Sequence, residues 1–150
     1  MFDKQNYRRV AGLAGAITQS GAVIKSVQSD VRHDSGMPVK LSSGKAVALA
    51  GTEKAGDIFG IAIKPVTPFE PFYKGDLIEV LHEGYIQVPM TDSETPVRGG
   101  AVYFDHSTKK YTTQDSGKVA IRAVWACDGQ HDGVAEIQLI TYLATPSAAA

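Results

Sequence analysis

The stretch Lys74–Met90, KGDLIEVLHEGYIQVPM, decides the fold. Apolar and polar side chains alternate on both sides of His82-Glu83-Gly84. Ile78 and Val80 fall on one face of a first strand, and Ile86, Val88 and Met90 on one face of a second. Gly84 can supply the positive φ that the last position of a three-residue hairpin loop requires. Gly75-Asp76 marks a tight turn into the stretch. The pattern predicts a β-hairpin at the centre of a single β domain, with the other strands added around it.

Downstream, Thr91–Pro96 is a polar turn, and Arg98-Gly99-Gly100 opens a strand over Ala101–Asp105. Asp105–Lys110 reads as a hairpin loop and Tyr111–Thr113 as a short return strand. Asp115-Ser116-Gly117 turns into Lys118–Ala126, where Val119, Ile121, Ala123 and Trp125 alternate inward. Cys127–Gly133 is a loop. Val134–Leu143 is the last strand, with Ala135, Ile137 and Leu139 facing in.

Upstream, Gly21–Ser29 is a weak first strand and Val31–Pro38 a loop. Val39–Leu41 and Lys45–Leu49 are short strands around the turn Ser42-Ser43-Gly44. Gly51–Gly56 turns again. Asp57–Lys64 follows, with Phe59, Ile61 and Ile63 on one face. Gly60 faces the other way and marks a bulge or a close backbone approach. In Pro65–Tyr73, proline recurs at positions 65, 68 and 71, the three-residue turn of polyproline II. Val66, Phe69 and Phe72 then form an apolar ridge, which either caps the domain's own core or docks on a partner.

Residues 1–20 show neither period, and Gly12 and Gly15 argue against a stable helix. They read as an extended arm, with Phe2, Tyr7, Leu13 and Ile17 as anchors, or as a tail pinned by a neighbour. The chain therefore divides into an arm at 1–20, a β-rich body at 21–143 and a tail at 144–150. The expected fold is all-β: a single antiparallel sandwich or barrel of short strands with an extended N-terminal arm.

A chain of 150 residues buries roughly 70% of its unfolded surface, enough for one core. The net charge of −1 gives no field toward nucleic acid or an anionic membrane, so neither is an expected partner. The single cysteine, Cys127, excludes an intrachain disulfide and fits assembly in a reducing cytoplasm. Arg8-Arg9 before VAGLAGAI invites a signal-peptide reading, but the apolar run is short and glycine-broken, and Asp3 weakens the positive flank. No apolar run approaches the roughly 20 residues of a membrane-spanning helix.

Candidate chemistry is sparse. Cys127 with His131 and Asp132 has the residue types of a nucleophile and base, but four residues of one loop do not make a triad. His82-Glu83 reads as an acid–base pair or as turn chemistry. His33-Asp34 and His131-Asp132 are far apart and lack zinc-ligand spacing. Asp105, Asp128 and Asp132 lack calcium-loop spacing. No phosphate-cradling glycine motif is present, and Lys109-Lys110 and Arg8-Arg9 lack interleaved aromatics. No metal or cofactor site is predicted, which leaves a structural or binding role.

The segments PVKLSSGKAVALAG, GDIFGIAIKPV, KGDLIEVLHEGYIQVPM, ETPVRGGAVYFD, KVAIRAVWACDG and AEIQL, in that order and spacing, resemble the head cement (capsid decoration) proteins of tailed bacteriophages. The resemblance covers roughly Gly36–Leu139. It implies a β-rich auxiliary protein on the outside of an icosahedral head, bridging capsomers of the major capsid protein as a dimer or trimer. It implies neither cofactor nor turnover, and assembly in the host cytoplasm. No functional residue is carried over from the family. The contact residues expected on physical grounds are Phe2, Tyr7, Arg8, Arg9, Leu13, Phe69 and Phe72, on segments unable to bury them alone. The rival readings are a small β-barrel enzyme or ligand-binding domain with sites between subunits, and a tail or receptor-binding module.

Overall fold

A computed structural model describes residues 14–19, 21–32, 34–63 and 75–140. Among these residues nine strands form one antiparallel sheet: β1 (Val23–Gln28), β2 (Pro38–Ser42), β3 (Lys45–Ala48), β4 (Gly60–Ala62), β5 (Leu77–Pro89), β6 (Ala101–Asp105), β7 (Lys110–Thr112), β8 (Val119–Trp125) and β9 (Val134–Leu139). One 3-10 turn, Ala55–Asp57, precedes β4. The strand order is β3-β2-β4-β5-β9-β8-β6-β7, with β1 added on β5. No helix among the described residues is long and apolar enough to cross a membrane. The all-β expectation holds, as a curled half-barrel.

The central hairpin does not form. Leu77–Pro89 is one continuous strand of 13 residues. Leu81 pairs with Ile24 and Glu83 with Val23, so His82 is an extra residue, a bulge, rather than the start of a turn. Gly84 does take a positive φ, +137°, but it bends the strand instead of reversing it. A Cβ there would lie 3.1 Å from the Ala22 backbone. A reversal would pair the two halves of the stretch with each other. Instead both find other partners: β1 and β4 along the first half, β9 along the second.

The bulge also shifts which face is inside. Ile78 and Val80 point into a small core with Val39, Ala46 and Ala62. Leu81 points into the main core, and after the bulge so do Ile86 and Val88. The sheet thus curls twice around one shared strand. The first curl is β3-β2-β4-β5-β1, and it nearly closes where Asp30 N–H donates to Ala46 O (2.9 Å). The second is β5-β9-β8-β6-β7, and it closes where Thr91 N–H donates to Tyr111 O (2.9 Å).

Strand β4 is shorter than the expected Asp57–Lys64: the 3-10 turn takes Asp57, with Ile58 as its cap, and pairing starts at Gly60. It is buried on both faces: Ile61 and Ile63 enter the main core and Ala62 the small one. Phe59 does not share a face with Ile61 and Ile63 as expected; it packs on the small core, because the chain bends between the turn and β4. Gly60 is a close approach, as read from sequence: a Cβ there would sit 2.2 Å from Leu81 O. Val119, Ile121, Ala123 and Trp125 all point inward, as do Ala135, Ile137 and Leu139. Tyr111 is fully buried, and its hydroxyl donates to Gly36 O (2.8 Å), tying the second curl to the first.

Candidate functional site

The seven expected contact residues, Phe2, Tyr7, Arg8, Arg9, Leu13, Phe69 and Phe72, lie outside the described residues, as do His33 and the proline-spaced segment. The end of the expected arm is described. Gly15 N–H donates to Gln87 O (2.7 Å), Gln87 N–H to Ala16 O (3.0 Å) and Thr18 N–H to Tyr85 O (3.3 Å). Ile17 bridges to Ile86 and packs on the main core, so this anchor holds the chain to its own body.

The candidate catalytic groups do not converge. The Cys127 thiol donates to Gly129 O (3.3 Å) and accepts from Glu136 N–H (3.4 Å). Burial pushes its pKa up, which disfavours the thiolate. His131 instead faces Asp132 at 3.2 Å, with both side chains exposed. His82 is not at a hairpin tip. Its Nδ1 lies 2.7 Å from Phe59 O and 3.2 Å from Arg122 Nη2, while Glu83 is exposed. Among the described residues no three His, Cys, Asp or Glu side chains are grouped to hold a metal. A concavity of about 770 Å³ takes in Cys127, Asp128, His131 and Glu136, and another, of about 200 Å³, lies between the curls. The floor of the smaller one includes Leu49 and Phe104 and its rim carries Arg32, Asp34, His106 and Lys109, without a serine, threonine or cysteine among its lining.

The most developed polar site is one that sequence reasoning missed. Arg122 sits on β8 at a position that alternation assigns to solvent, yet it is only 5% exposed. Its Nε–H donates to Ile58 O (2.9 Å). Nη1 donates to His82 O (2.8 Å) and Ile140 O (2.9 Å), and Nη2 to Phe59 O (2.6 Å). The cause is the fork in β5. Its pairing with β4 ends at Leu81 and its pairing with β9 begins at Gly84, so the peptide at His82 has no strand on that side. A guanidinium, with five donors in a plane, can satisfy several carbonyls at once. Burial lowers the pKa of Arg122 and the nearby Glu83 carboxylate raises it. The sequence signal was an arginine in an otherwise apolar strand; what it would meet depended on the bulge.

A second fixed charge sits in the first curl. Glu53 accepts from Lys40 and from the backbone N–H groups of Ala50 (2.7 Å) and Gly51 (2.9 Å). Burial alone would raise its pKa; these donors outweigh burial and pull it to about 2. In the second curl, Asp105 is held well below the ordinary carboxylate range by the Ser107 hydroxyl and backbone, with Lys118 also beside it at 3.1 Å.

The surface features that suit contact with other chains gather on the first curl. Among the described residues, Val23, Ile24, Leu41 and Leu77 are exposed large apolar side chains there, against Val97 in the second. Leu77 is 74% exposed. Isolated exposed apolar residues are ordinary; several around one edge strand mark a contact surface.

Comparison with known proteins agrees with the all-β body. No curated protein matches the sequence. The fold is similar to a chain in the structure titled "The capsid of Myoviridae Phage XM1": TM-score 0.67 and 20% identity, over 87% of this chain and 91% of that one. The model of the family described as structural cement protein (E217 gp24/Pam3 gp6) matches residues 2–140. With nearly its whole length matched, the chain belongs to the phage structural cement protein family.

Proposed function

We propose that the protein binds the outer surface of an icosahedral phage head and stabilises contacts between capsomers of the major capsid protein, as a dimer or trimer across their seams, without catalysis. The observation that carries this reading is the family match over residues 2–140. The exposed apolar residues of the first curl support it. The contact set is Phe2, Tyr7, Arg8, Arg9, Leu13, Phe69 and Phe72, on an arm spanning 1–20 and on the proline-spaced segment of the 21–143 body; 144–150 is a tail.

The energetics need no unusual chemistry. A protein that binds only the assembled lattice stabilises that lattice by mass action. Each contact is of ordinary size, on the order of 1,600 Å². Several contacts per oligomer raise the effective affinity further. The near-zero net charge permits crowding of many copies on one surface. Synthesis and assembly take place in the host cytoplasm, where the single thiol of Cys127 stays reduced.

The test is to mix purified protein with undecorated heads and with free capsid subunits. Binding to heads and not to subunits is expected. Equal binding to both, or binding to neither, overturns the reading. Deleting residues 2–13 should leave a folded body that no longer coats heads.

A further inference from the structure

The backbone of β1 is directed so that the outward groups around Ile24 and Ser26 have no strand partner among the described residues. Glu79 O accepts from Ile63 N–H (3.0 Å), so the Glu79 peptide points at the β4 side of β5. Ser26 is directly opposite Glu79, and in an antiparallel pair such a residue is then in a non-hydrogen-bonded position. Its N–H and C=O therefore point away from β5. Ser29 N–H donates to Asp76 O (2.7 Å), which places the odd-numbered residues of β1 toward β5 and the even-numbered ones outward. Asp30 obeys the same parity, and its outward N–H is taken by Ala46. The parallel bridge of Ser29 with Ala46 also engages the outward C=O of Gln28, so Ile24 and Ser26 are left as the open edge among the described residues. The strand VIKSVQ holds one lysine and no proline, so the usual protection of an edge is thin.

We propose that residues 2–13 of a second copy add to this edge as a further strand. This rests on the reading that copies sit side by side on a shell. Three features favour that occupant. The first is direction. The chain runs antiparallel to β5 from Gly15, opposite Gln87, to β1, opposite Leu77–Glu83. The chain therefore enters this pairing at the Pro89 end of β5, away from its own β1. The second is reach. Twelve extended residues span at most roughly 43 Å, enough to cross to a neighbour. The third is complementarity. Residues 2–13 carry Lys4, Arg8 and Arg9 against Asp3 alone, whereas Glu79 and Glu83 lie exposed beside β1. Ile24 and Leu77 share the face of Ser26 and Glu79 and offer apolar contact to Phe2, Tyr7 and Leu13. Strand addition of this kind takes affinity from main-chain bonds and specificity from the side chains.

The experiment is sedimentation equilibrium in free solution, without heads. It uses the full chain, the chain lacking residues 2–13, and Ser26→Pro, which removes an outward donor that β5 does not use. The full chain should associate and each variant alone should be a monomer. Their equimolar mixture should form a one-to-one complex that grows no further, because one supplies the arm and the other the edge. A third variant, Glu79→Lys with Glu83→Lys, should weaken association at least tenfold at low salt. A full chain that stays monomeric, or association unchanged in Ser26→Pro or in the double reversal, overturns the proposal. A chain that coats heads but never associates overturns this edge contact alone. One that associates as described yet never binds heads overturns the cement reading and supports the edge contact.

Discussion

The two curls share β5 but are finished to different degrees. The main core, centred on the second curl, gathers eighteen buried apolar residues among those described, including Trp125, Tyr111 and Phe104. The small core of the first curl gathers five, none larger than isoleucine. Among the described residues, the second curl closes on itself, while the first leaves Ile24 and Ser26 of β1 without a strand partner and carries four of the five exposed large apolar side chains. In an antiparallel sheet protein, surface left unsatisfied by folding is surface available to another chain. One half supplies stability, and the other carries the features of a contact surface.

That division can be broken experimentally. Trp125→Ala should cost about 4 kcal/mol, from lost burial and the cavity left behind. Because β5 belongs to both curls, urea should unfold both halves in one transition; two separate transitions would show that the halves are independent. Arg122→Met should cost about 3 kcal/mol, since the buried carbonyls at the fork lose their donor. Hydrogen exchange should rise in the 3-10 turn and β4 more than in β6 and β7. Uniform change would mean that the arginine does not join the two halves.

Glu53 gives the first curl an acid limit. Its folded pKa, about 2, lies below its ordinary value of 4.5. Its contribution is therefore fully present above pH 4.5 and is lost as pH falls toward 2. Glu53→Gln should remove about 2 kcal/mol at pH 7 and flatten the acid limb of the stability profile. An unchanged slope between pH 4.5 and 2 would sink this assignment. The smallest effect on stability should come from Leu77→Ser, within about 0.5 kcal/mol, because the side chain is already in solvent. Coating of heads and self-association, measured by sedimentation, should nevertheless weaken several-fold.

What the sequence made legible follows from the same contrast. Val119, Ile121, Ala123 and Trp125 alternate without interruption, and the strand they predict is the strand observed. The Lys74–Met90 stretch misled because a bulge and a turn share a signature: a glycine with positive φ between two alternating runs. Only the partners on each edge of β5 distinguish them, and those come from residues distant in sequence. Arg122 was hidden for the same reason. Its carbonyl partners come from Ile58, Phe59, His82 and Ile140, which no local pattern brings together. Contact surfaces are harder still, since an exposed Ile24 satisfies no internal rule that sequence periodicity could reveal.

The pairing of Gly15–Thr18 with Tyr85–Gln87 has a mechanical consequence. Bonds between antiparallel strands stand across the strand axis. Tension entering the chain at Gly15 along that axis loads those bonds together, in shear, rather than peeling them one by one. Beyond them the load meets β1 on the same edge of β5, and β5 passes it to both curls. A swelling shell that pulled on this end would be pulling on the joint in the direction where it yields last.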